Sequence, residues 1–237
     1  MSVIWHDVEC GGYAEDLSLW RSLAQQQGDP VLDIGAGTGR IALDLARLGH
    51  EVFALDRDGE LLAELEHRAT GLGVRTVAAD ARDFELGCRF PLCIVPMQTI
   101  QLLGGAAGRS DFLACARRHL QPDGLVAIAI APSLDLFEVV EGDLTPMPDI
   151  REVDGVVYSS LPTAVRADRH GFLLERRRER ISASGSRSVE QDVIRLDRLT
   201  AAELEAQAID VGLRPAGRMV VAATADYVGS EVVLLRG

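Results

Sequence analysis

The sequence VLDIGAGTGR, residues 31–40, decides how the rest of the chain is interpreted. Its apolar start, residues 31–34, predicts a short buried strand, and residues 40–48 have the apolar spacing of an amphipathic helix. Glycine occupies every second position from 35 to 39, which allows a sharp backbone turn and the approach of a ligand without an intervening Cβ. The helix that follows directs its unbonded amide groups at that ligand. The stretch therefore predicts a strand, a ligand-binding turn and a helix.

Strand and helix patterns alternate through the first 131 residues. After a helix at 13–27 and the stretch above, strands are expected at 51–55, 75–79, 93–95 and 125–131, with helices at 58–67 and 111–120. This alternation predicts a parallel sheet with helices on both faces, and right-handed crossovers make it a doubly wound α/β fold. Ligands of such sheets bind outside the carboxyl ends of the strands.

The pattern changes after Pro132. Extended segments at 156–160, 164–167, 172–181 and 189–196, separated by turn signals, predict a small antiparallel β insertion over 132–198. A helix at 200–211 and strands at 218–223 and 231–235 return to the main sheet. We therefore predict one domain, 1–237, whose insertion covers the substrate side. Within it, Arg176, Arg178 and Arg180 share one strand face; a solvated face is expected, with anion binding or a dimer contact as the alternative.

Composition limits the partners. The formal net charge of -12 disfavours nucleic acid and anionic membranes as partners. No zinc-binding spacing can be built from the four cysteines, and we expect no metal. Free thiols and the absence of a signal-peptide pattern suggest a cytoplasmic location. A homo-oligomer is an open alternative, because the insertion offers strand edges.

Three acids lie at predicted strand ends. Asp33, just before the glycine turn, would repel a pyrophosphate but suits an ammonium group. Asp56 follows the second strand at the place where a carboxylate accepts both ribose hydroxyls. Asp80 follows the third strand, where an acid can accept a hydrogen bond from an adenine amino group. The glycine spacing, G-x-G-x-G, also differs from the G-x-G-x-x-G of dinucleotide-binding proteins.

Together these segments resemble the class I S-adenosylmethionine-dependent methyltransferases. The resemblance rests on VLDIGAGTGR (31–40), HEVFALDRD (50–58), VAADARDF (77–84), FPLCIVPMQTIQLL (90–103) and RRHLQPDGLVAIAI (117–130). The C-terminal GLRPAGRMVVAATADYVGSEVVLLRG resembles the terminal hairpin of that family. The resemblance implies a seven-stranded sheet, mostly parallel with an antiparallel last strand, and S-adenosylmethionine as the cofactor.

The resemblance also implies roles for individual residues. The cofactor-binding set that it implies is Tyr13, Asp33, Gly35, Ala36, Gly37, Arg40, Asp56, Arg57, Asp80, Ala81, Pro96 and Met97. In this set the glycine turn packs against the methionine part, and Arg40 lies where it can meet the cofactor carboxylate. Tyr13 resembles the N-terminal aromatic that closes over the cofactor, although an ordinary core tyrosine is the alternative.

The segment after the fourth strand, PMQTIQLL (96–103), resembles that of the small-molecule N- and O-methyltransferases, which often read P-F-N-T-L-Q-H-L. Gln98 and Gln101 fit this pattern, whereas Leu102 replaces the histidine. The N/D-P-P-Y/F/W motif of nucleic-acid methyltransferases is absent. We expect Gln98 and Leu102 to face a small-molecule methyl acceptor, with a core position for Leu102 as the alternative. The catalytic residues remain unassigned, since the histidine base is missing.

Two other functions stay open. A nicotinamide-dependent oxidoreductase is disfavoured by the glycine spacing and by the acids at positions 33 and 80. A protein that binds S-adenosylmethionine without methyltransferase activity is suggested only by Leu102. The expected function is transfer of a methyl group from S-adenosylmethionine to a nitrogen or oxygen of a small molecule.

Overall fold

The computed structural model describes residues 3–140, 146–224 and 227–237. By backbone contacts the chain divides into two compact units. The first comprises Tyr13–Pro132 and Leu199–Gly237, and the second comprises the residues up to Gly12 together with Ser133–Arg198. No helix within the described ranges is both long and apolar enough to cross a membrane.

The first unit contains a seven-stranded sheet in the order β11-β12-β5-β4-β1-β2-β3. Its strands are β1 (Val31–Ile34), β2 (Val52–Asp56), β3 (Val74–Ala78), β4 (Phe90–Val95), β5 (Leu120–Ile130), β11 (Arg214–Val221) and β12 (Ser230–Arg236). The pairs among β1 to β5 are parallel, whereas β12 runs antiparallel to both β5 and β11. The predicted fold class, with its antiparallel last strand, is confirmed.

Helices cover both faces of this sheet. They are α2 (Leu17–Gln27), α3 (Arg40–Arg47), α4 (Gly59–Arg68), α5 (Gly105–His119) and α6 (Ala201–Asp210). Apolar residues of α2, α3 and α4 pack in one core cluster, and those of α5 and α6 pack in another. Alternate residues of β1 enter the two clusters, because successive side chains of a strand point to opposite faces. The doubly wound arrangement places the carboxyl ends of β1, β2, β3 and β4 at one edge.

The second unit contains an antiparallel sheet in the order β10-β9-β8-β6, with β7 also paired to β8. Its elements are α1 (Val3–Cys10), β6 (Phe137–Glu138), β7 (Asp149–Val153), β8 (Val156–Ala167), β9 (Gly171–Ile181) and β10 (Arg187–Asp197). The predicted antiparallel insertion is present, but two of its predicted segments form the single strand β8, with a register shift between Pro162 and Ala164. That the insertion covers the substrate side stays a prediction.

Helix α1 and the two short strands β6 and β7 were not expected from the sequence. In the main sheet, β5 begins at Leu120 and not at the predicted residue 125, and Asp123 within it has a left-handed φ of 59°. The helix predicted at 13–27 begins at Leu17, because residues 15 and 16 form a turn. The last two differences concern element boundaries, where local patterns carry little information.

The expectation of a solvated face on β9 is wrong at Arg178, which is buried. Its guanidinium donates to both carboxylate oxygens of Glu9 at 2.7 and 2.8 Å and to Asp192 at 3.0 Å. The Ser160 hydroxyl also donates to Glu9 at 2.8 Å. Burial raises the pKa of Glu9, but the arginines and Ser160 outweigh it, so the pKa is lowered. This network joins α1 to the antiparallel sheet within the second unit.

Candidate functional site

The glycine turn between β1 and α3 is held by the end of β2. The amides of Gly35 and Ala36 donate to the Leu55 carbonyl at 2.8 and 3.0 Å, and the Gly37 amide donates to Oδ2 of Asp56 at 2.9 Å. Gly35 and Gly37 have φ of 73° and 55°, in the left-handed region that favours glycine. The backbone of the predicted turn therefore adopts a conformation that favours glycine at these two positions.

Gly35 also leaves room for a neighbour. A Cβ at this position would lie 2.6 Å from Cγ2 and 2.8 Å from Oγ1 of Thr99. Thr99 begins the 3₁₀ turn Thr99–Leu102 after β4, and its hydroxyl donates to the Pro96 carbonyl at 3.0 Å. The glycine turn and the segment after β4 are therefore in direct contact at the carboxyl edge of the sheet.

Asp33 is the most unusual charged group in this region. It is 1% exposed, and neither carboxylate oxygen has a hydrogen-bond partner of full geometry among the described residues. Its pKa is raised to about 7, mainly by burial and also by the negative charges of Asp56 and Asp16, although Arg40 and the Ala42 amide oppose the increase. Buried polar groups are normally hydrogen-bonded, so this carboxylate is an exception that needs an explanation.

Asp56, the predicted ribose ligand, is half-buried at the end of β2. Besides the Gly37 amide at Oδ2, it accepts the Asp58 amide at Oδ1, at 2.9 Å. Each oxygen therefore retains acceptor capacity. Arg57 follows it on the exposed surface.

Asp80, the predicted adenine ligand, accepts hydrogen bonds from Arg82. The Arg82 guanidinium donates to its two oxygens at 2.9 and 2.6 Å, and the Arg82 amide donates to Oδ1 at 2.9 Å. These bonds lower the pKa of Asp80 to about 2. Ala81 lies beside it and is buried in the core cluster of α5 and α6. Nothing in the sequence identified Arg82 as the partner of Asp80.

Arg40 and Tyr13 are brought together with Asp16. Nη1 and Nη2 of Arg40 donate to the two Asp16 oxygens at 2.5 and 2.9 Å, and Nη1 also donates to the Tyr13 carbonyl at 2.9 Å. The guanidinium lies 5.0 Å from the centre of the Tyr13 ring, and Tyr227 packs edge-on against that ring at 5.1 Å. Burial, followed by Asp16, raises the pKa of Tyr13. A direct contact of Arg40 with the cofactor carboxylate stays a prediction.

The side chains of the segment after β4 differ in their exposure to solvent. Leu102 is 51% exposed, which excludes the core position considered above, and Gln98 is half-buried. Gln101 is buried instead, and its amide group bonds the Ala131 amide and carbonyl at 2.8 and 3.1 Å. Met97, next to Pro96, has φ 56°, a conformation that non-glycine residues seldom adopt.

The predicted cofactor residues thus come from the ends of β1, β2, β3 and β4 and from the segment before α2. The structure places them at one edge of the main sheet, and their binding roles stay predictions. Sequence reasoning missed Asp16, Arg82, Thr99 and Tyr227. Of these four residues, only Asp16 could have been identified from the sequence, because an acid just before an amphipathic helix is typical of a helix start. No group of three potential metal ligands occurs in the ranges that the structure describes.

Comparison with known proteins shows a partial family match. Residues 31–124 match the family described as a methyltransferase domain. This part of the chain is therefore similar to a methyltransferase domain. The matched part extends from the start of β1 into β5 and includes the glycine turn, Asp33, Asp56 and Asp80.

Two solved structures have a fold similar to that of this chain. The sugar N-methyltransferase KedS8 from Streptoalloteichus sp ATCC 53650 superimposes with a TM-score of 0.76 and 18% identity, over 97% of this chain and 90% of that chain. The amino pentose methyltransferase CalS10 from Micromonospora echinaspora gives a TM-score of 0.73 and 20% identity, over 100% and 97% of the two chains. At these identities the similarity shows a common fold.

Curated relatives match this chain only in part. The protein-L-isoaspartate O-methyltransferase of Methylorubrum extorquens (strain PA1) is 36% identical over 111 residues, which are 47% of this chain and 46% of that protein. The chain spans about half the length of the curated relatives it matches.

Proposed function

We propose that this protein is an enzyme that transfers a methyl group from S-adenosylmethionine to a nitrogen or oxygen of a small molecule. The observation that carries the proposal is Asp33, a fully buried carboxylate without a full hydrogen bond, next to the glycine turn of the part that matches a methyltransferase domain. An unsatisfied buried carboxylate costs free energy, and an ammonium group such as that of S-adenosylmethionine would offset this cost.

The other residues fit the rest of that cofactor. Asp56 keeps acceptor capacity for ribose hydroxyls, and Gly35 and Gly37 expose backbone without a Cβ at the start of α3. Asp80 and Ala81 would hold the adenine, the former while anchored by Arg82. A nicotinamide dinucleotide fits less well, because its pyrophosphate would have to approach the negative charge of Asp33.

When bound, S-adenosylmethionine supplies a methyl group on a sulfonium, which is already a strong electrophile. The task of the chain is then to align the acceptor and to exclude water. Thr99 contacts the glycine turn at Gly35, and Gln98 offers a polar group in the same segment. A neutral amine acceptor needs no base before attack, which agrees with Leu102 at the place of the family's histidine.

Support for a small-molecule acceptor comes from the similar proteins. KedS8 and CalS10 are described as sugar and amino pentose methyltransferases. The relative from Methylorubrum extorquens is named as a protein-L-isoaspartate O-methyltransferase, so it supports only oxygen as an acceptor atom. The proposal therefore keeps both nitrogen and oxygen as acceptors. Incubation with S-adenosylmethionine and a panel of small amines, amino sugars and phenols tests it through formation of S-adenosylhomocysteine. Binding of the cofactor without turnover on any acceptor would favour an inactive binding protein instead.

Replacing Asp56 tests the ribose site. Asp56→Ala should weaken S-adenosylhomocysteine binding by roughly one to two decades, because the ribose hydroxyls and the Gly37 amide lose a charged acceptor. Asp56→Asn keeps one carbonyl oxygen and should lose less. Isothermal titration calorimetry measures both, with the exposed Glu60→Ala as a control on α4. An unchanged dissociation constant for Asp56→Ala would remove Asp56 from the site.

Replacing Gln98 tests the acceptor wall. Gln98→Ala should leave S-adenosylhomocysteine binding and the melting temperature unchanged. It should lower kcat/KM for the acceptor about three- to tenfold, which corresponds to one hydrogen bond. Gln101→Ala is the contrasting variant, because loss of its buried bonds to Ala131 should lower the melting temperature. Unchanged kcat/KM in Gln98→Ala would show that Gln98 does not contact the acceptor.

A further inference from the structure

The segment that carries Tyr13 is fastened to the start of α3 by one buried ion pair. The side chains of Arg40 and Asp16 are 10% and 3% exposed, and their two hydrogen bonds form a bidentate pair. Asp16 also accepts the indole N–H of Trp20 at 2.8 Å, while Arg40 donates to the Tyr13 carbonyl. Every one of these contacts lies within the first unit.

This arrangement changes what Arg40 can do. A guanidinium that already makes a bidentate pair with a buried carboxylate forms a unit with almost no net charge. Such a pair attracts a second carboxylate only weakly. Its remaining face lies against the Tyr13 ring, which is 7% exposed and is also packed by Tyr227. Arg40 is the first residue of α3, directly after the glycine turn, so this packing keeps the Tyr13 ring beside that turn.

We propose that Arg40 and Asp16 form a latch that holds Tyr13 beside the glycine turn, and that Asp16 is a positioning residue for cofactor binding. The inference rests on the proposed function, since it assigns a device to the same cofactor site. It differs from the role that the family resemblance implies for Arg40, which is direct contact with the cofactor carboxylate.

The sign of the effect of Asp16→Asn distinguishes the two roles. If the latch acts, loss of the charge on Asp16 releases Tyr13, and S-adenosylhomocysteine binding weakens roughly tenfold. Arg40→Met should weaken it by a similar factor, and the double variant should be no weaker than either single one. If Arg40 contacts the cofactor carboxylate directly, Asp16→Asn frees its guanidinium, and the affinity stays the same or increases.

Two further variants separate positioning from general stability. Asp44→Asn is the matched control, because Arg21 and Asp44 also join α2 to α3 through two bonds, at 2.7 and 2.6 Å, but lie on the exposed surface. It should leave the affinity unchanged. Tyr13→Ala should weaken binding, and adding Asp16→Asn to it should cause no further loss. An additional tenfold loss there would overturn the latch.

Calorimetry with S-adenosylhomocysteine, at a temperature at least 10 °C below each measured melting point, gives the affinities. Arg40→Lys, which keeps the charge and one bond, should lie between wild type and Arg40→Met even if Asp16→Asn folds poorly. Wild-type protein that fails to bind S-adenosylhomocysteine would overturn the proposed function and the latch together. Wild-type binding with unchanged affinity in Asp16→Asn would overturn the latch alone.

Discussion

Gly35→Ala is expected to abolish measurable cofactor binding and to destabilise the first unit by several kcal/mol. An alanine here would have to keep the left-handed φ of 73°, which costs roughly 1–2 kcal/mol for a residue with a Cβ. Its methyl group would also lie 2.6 Å from Cγ2 of Thr99, a distance that real contacts do not allow. Relief requires a shift of the glycine turn or of Thr99, and either shift alters the proposed cofactor site.

Gly49→Ala is the control for this prediction. Gly49 has φ 97°, but a Cβ there would meet no atom within 4 Å, so its variant shows the cost of backbone conformation alone. Urea denaturation should show a larger loss of unfolding free energy for Gly35→Ala than for Gly49→Ala. Adding Thr99→Ala to Gly35→Ala should restore part of the difference. Equal losses in the two single variants would contradict the proposed contact between Gly35 and Thr99.

Asp33→Asn should weaken S-adenosylhomocysteine binding by roughly two to three decades near pH 7.5, because the buried ammonium group of the ligand loses its carboxylate partner. The same substitution should make the unliganded protein more stable at this pH. The wild-type carboxylate is ionised above its pKa of about 7 and lies buried without a full hydrogen bond. The neutral asparagine avoids that cost.

The pH dependence follows from the raised pKa of Asp33. Between the unfolded value of 3.8 and about 7, the folded protein keeps a proton that the unfolded chain has lost. Stability from this group is therefore greatest below pH 3.8, falls as the pH rises to about 7, and is constant above. At 1.36 kcal/mol per pKa unit the total is on the order of 4 kcal/mol. Asp33→Asn should lack this slope in urea denaturation.

Cofactor binding should have the opposite slope. Below pH 7 the ionised fraction of Asp33 falls about tenfold per pH unit, so wild-type affinity should fall towards that of Asp33→Asn. Above about pH 8 the affinity should fall again, as the ammonium group of the ligand loses its proton. Calorimetry from pH 5.5 to 8.5 tests this, with the exposed Asp29→Asn as a control. Parallel curves for wild type and Asp33→Asn would exclude Asp33 as the ammonium acceptor.

The sequence by itself determined the order of the elements in the main sheet and the edge of that sheet at which the predicted site residues lie. The glycine turn, the acids at strand ends and the alternation of strands with helices are local signals, readable within a few residues because helix and strand periods are short. They were sufficient for the doubly wound sheet and for the positions of Asp33, Asp56 and Asp80 at or just after the carboxyl ends of the neighbouring strands β1, β2 and β3.

Only the tertiary structure decided which side chains meet across the fold. Arg40 pairs with Asp16 24 residues away, Gln101 with Ala131 30 residues away, and Arg178 with Glu9 169 residues away. No periodic pattern relates such positions, since each pair forms where separate elements pack. For the same reason, the contact of Thr99 with Gly35 and the burial of Asp33 without a full hydrogen bond emerge only when β1 and β4 lie side by side.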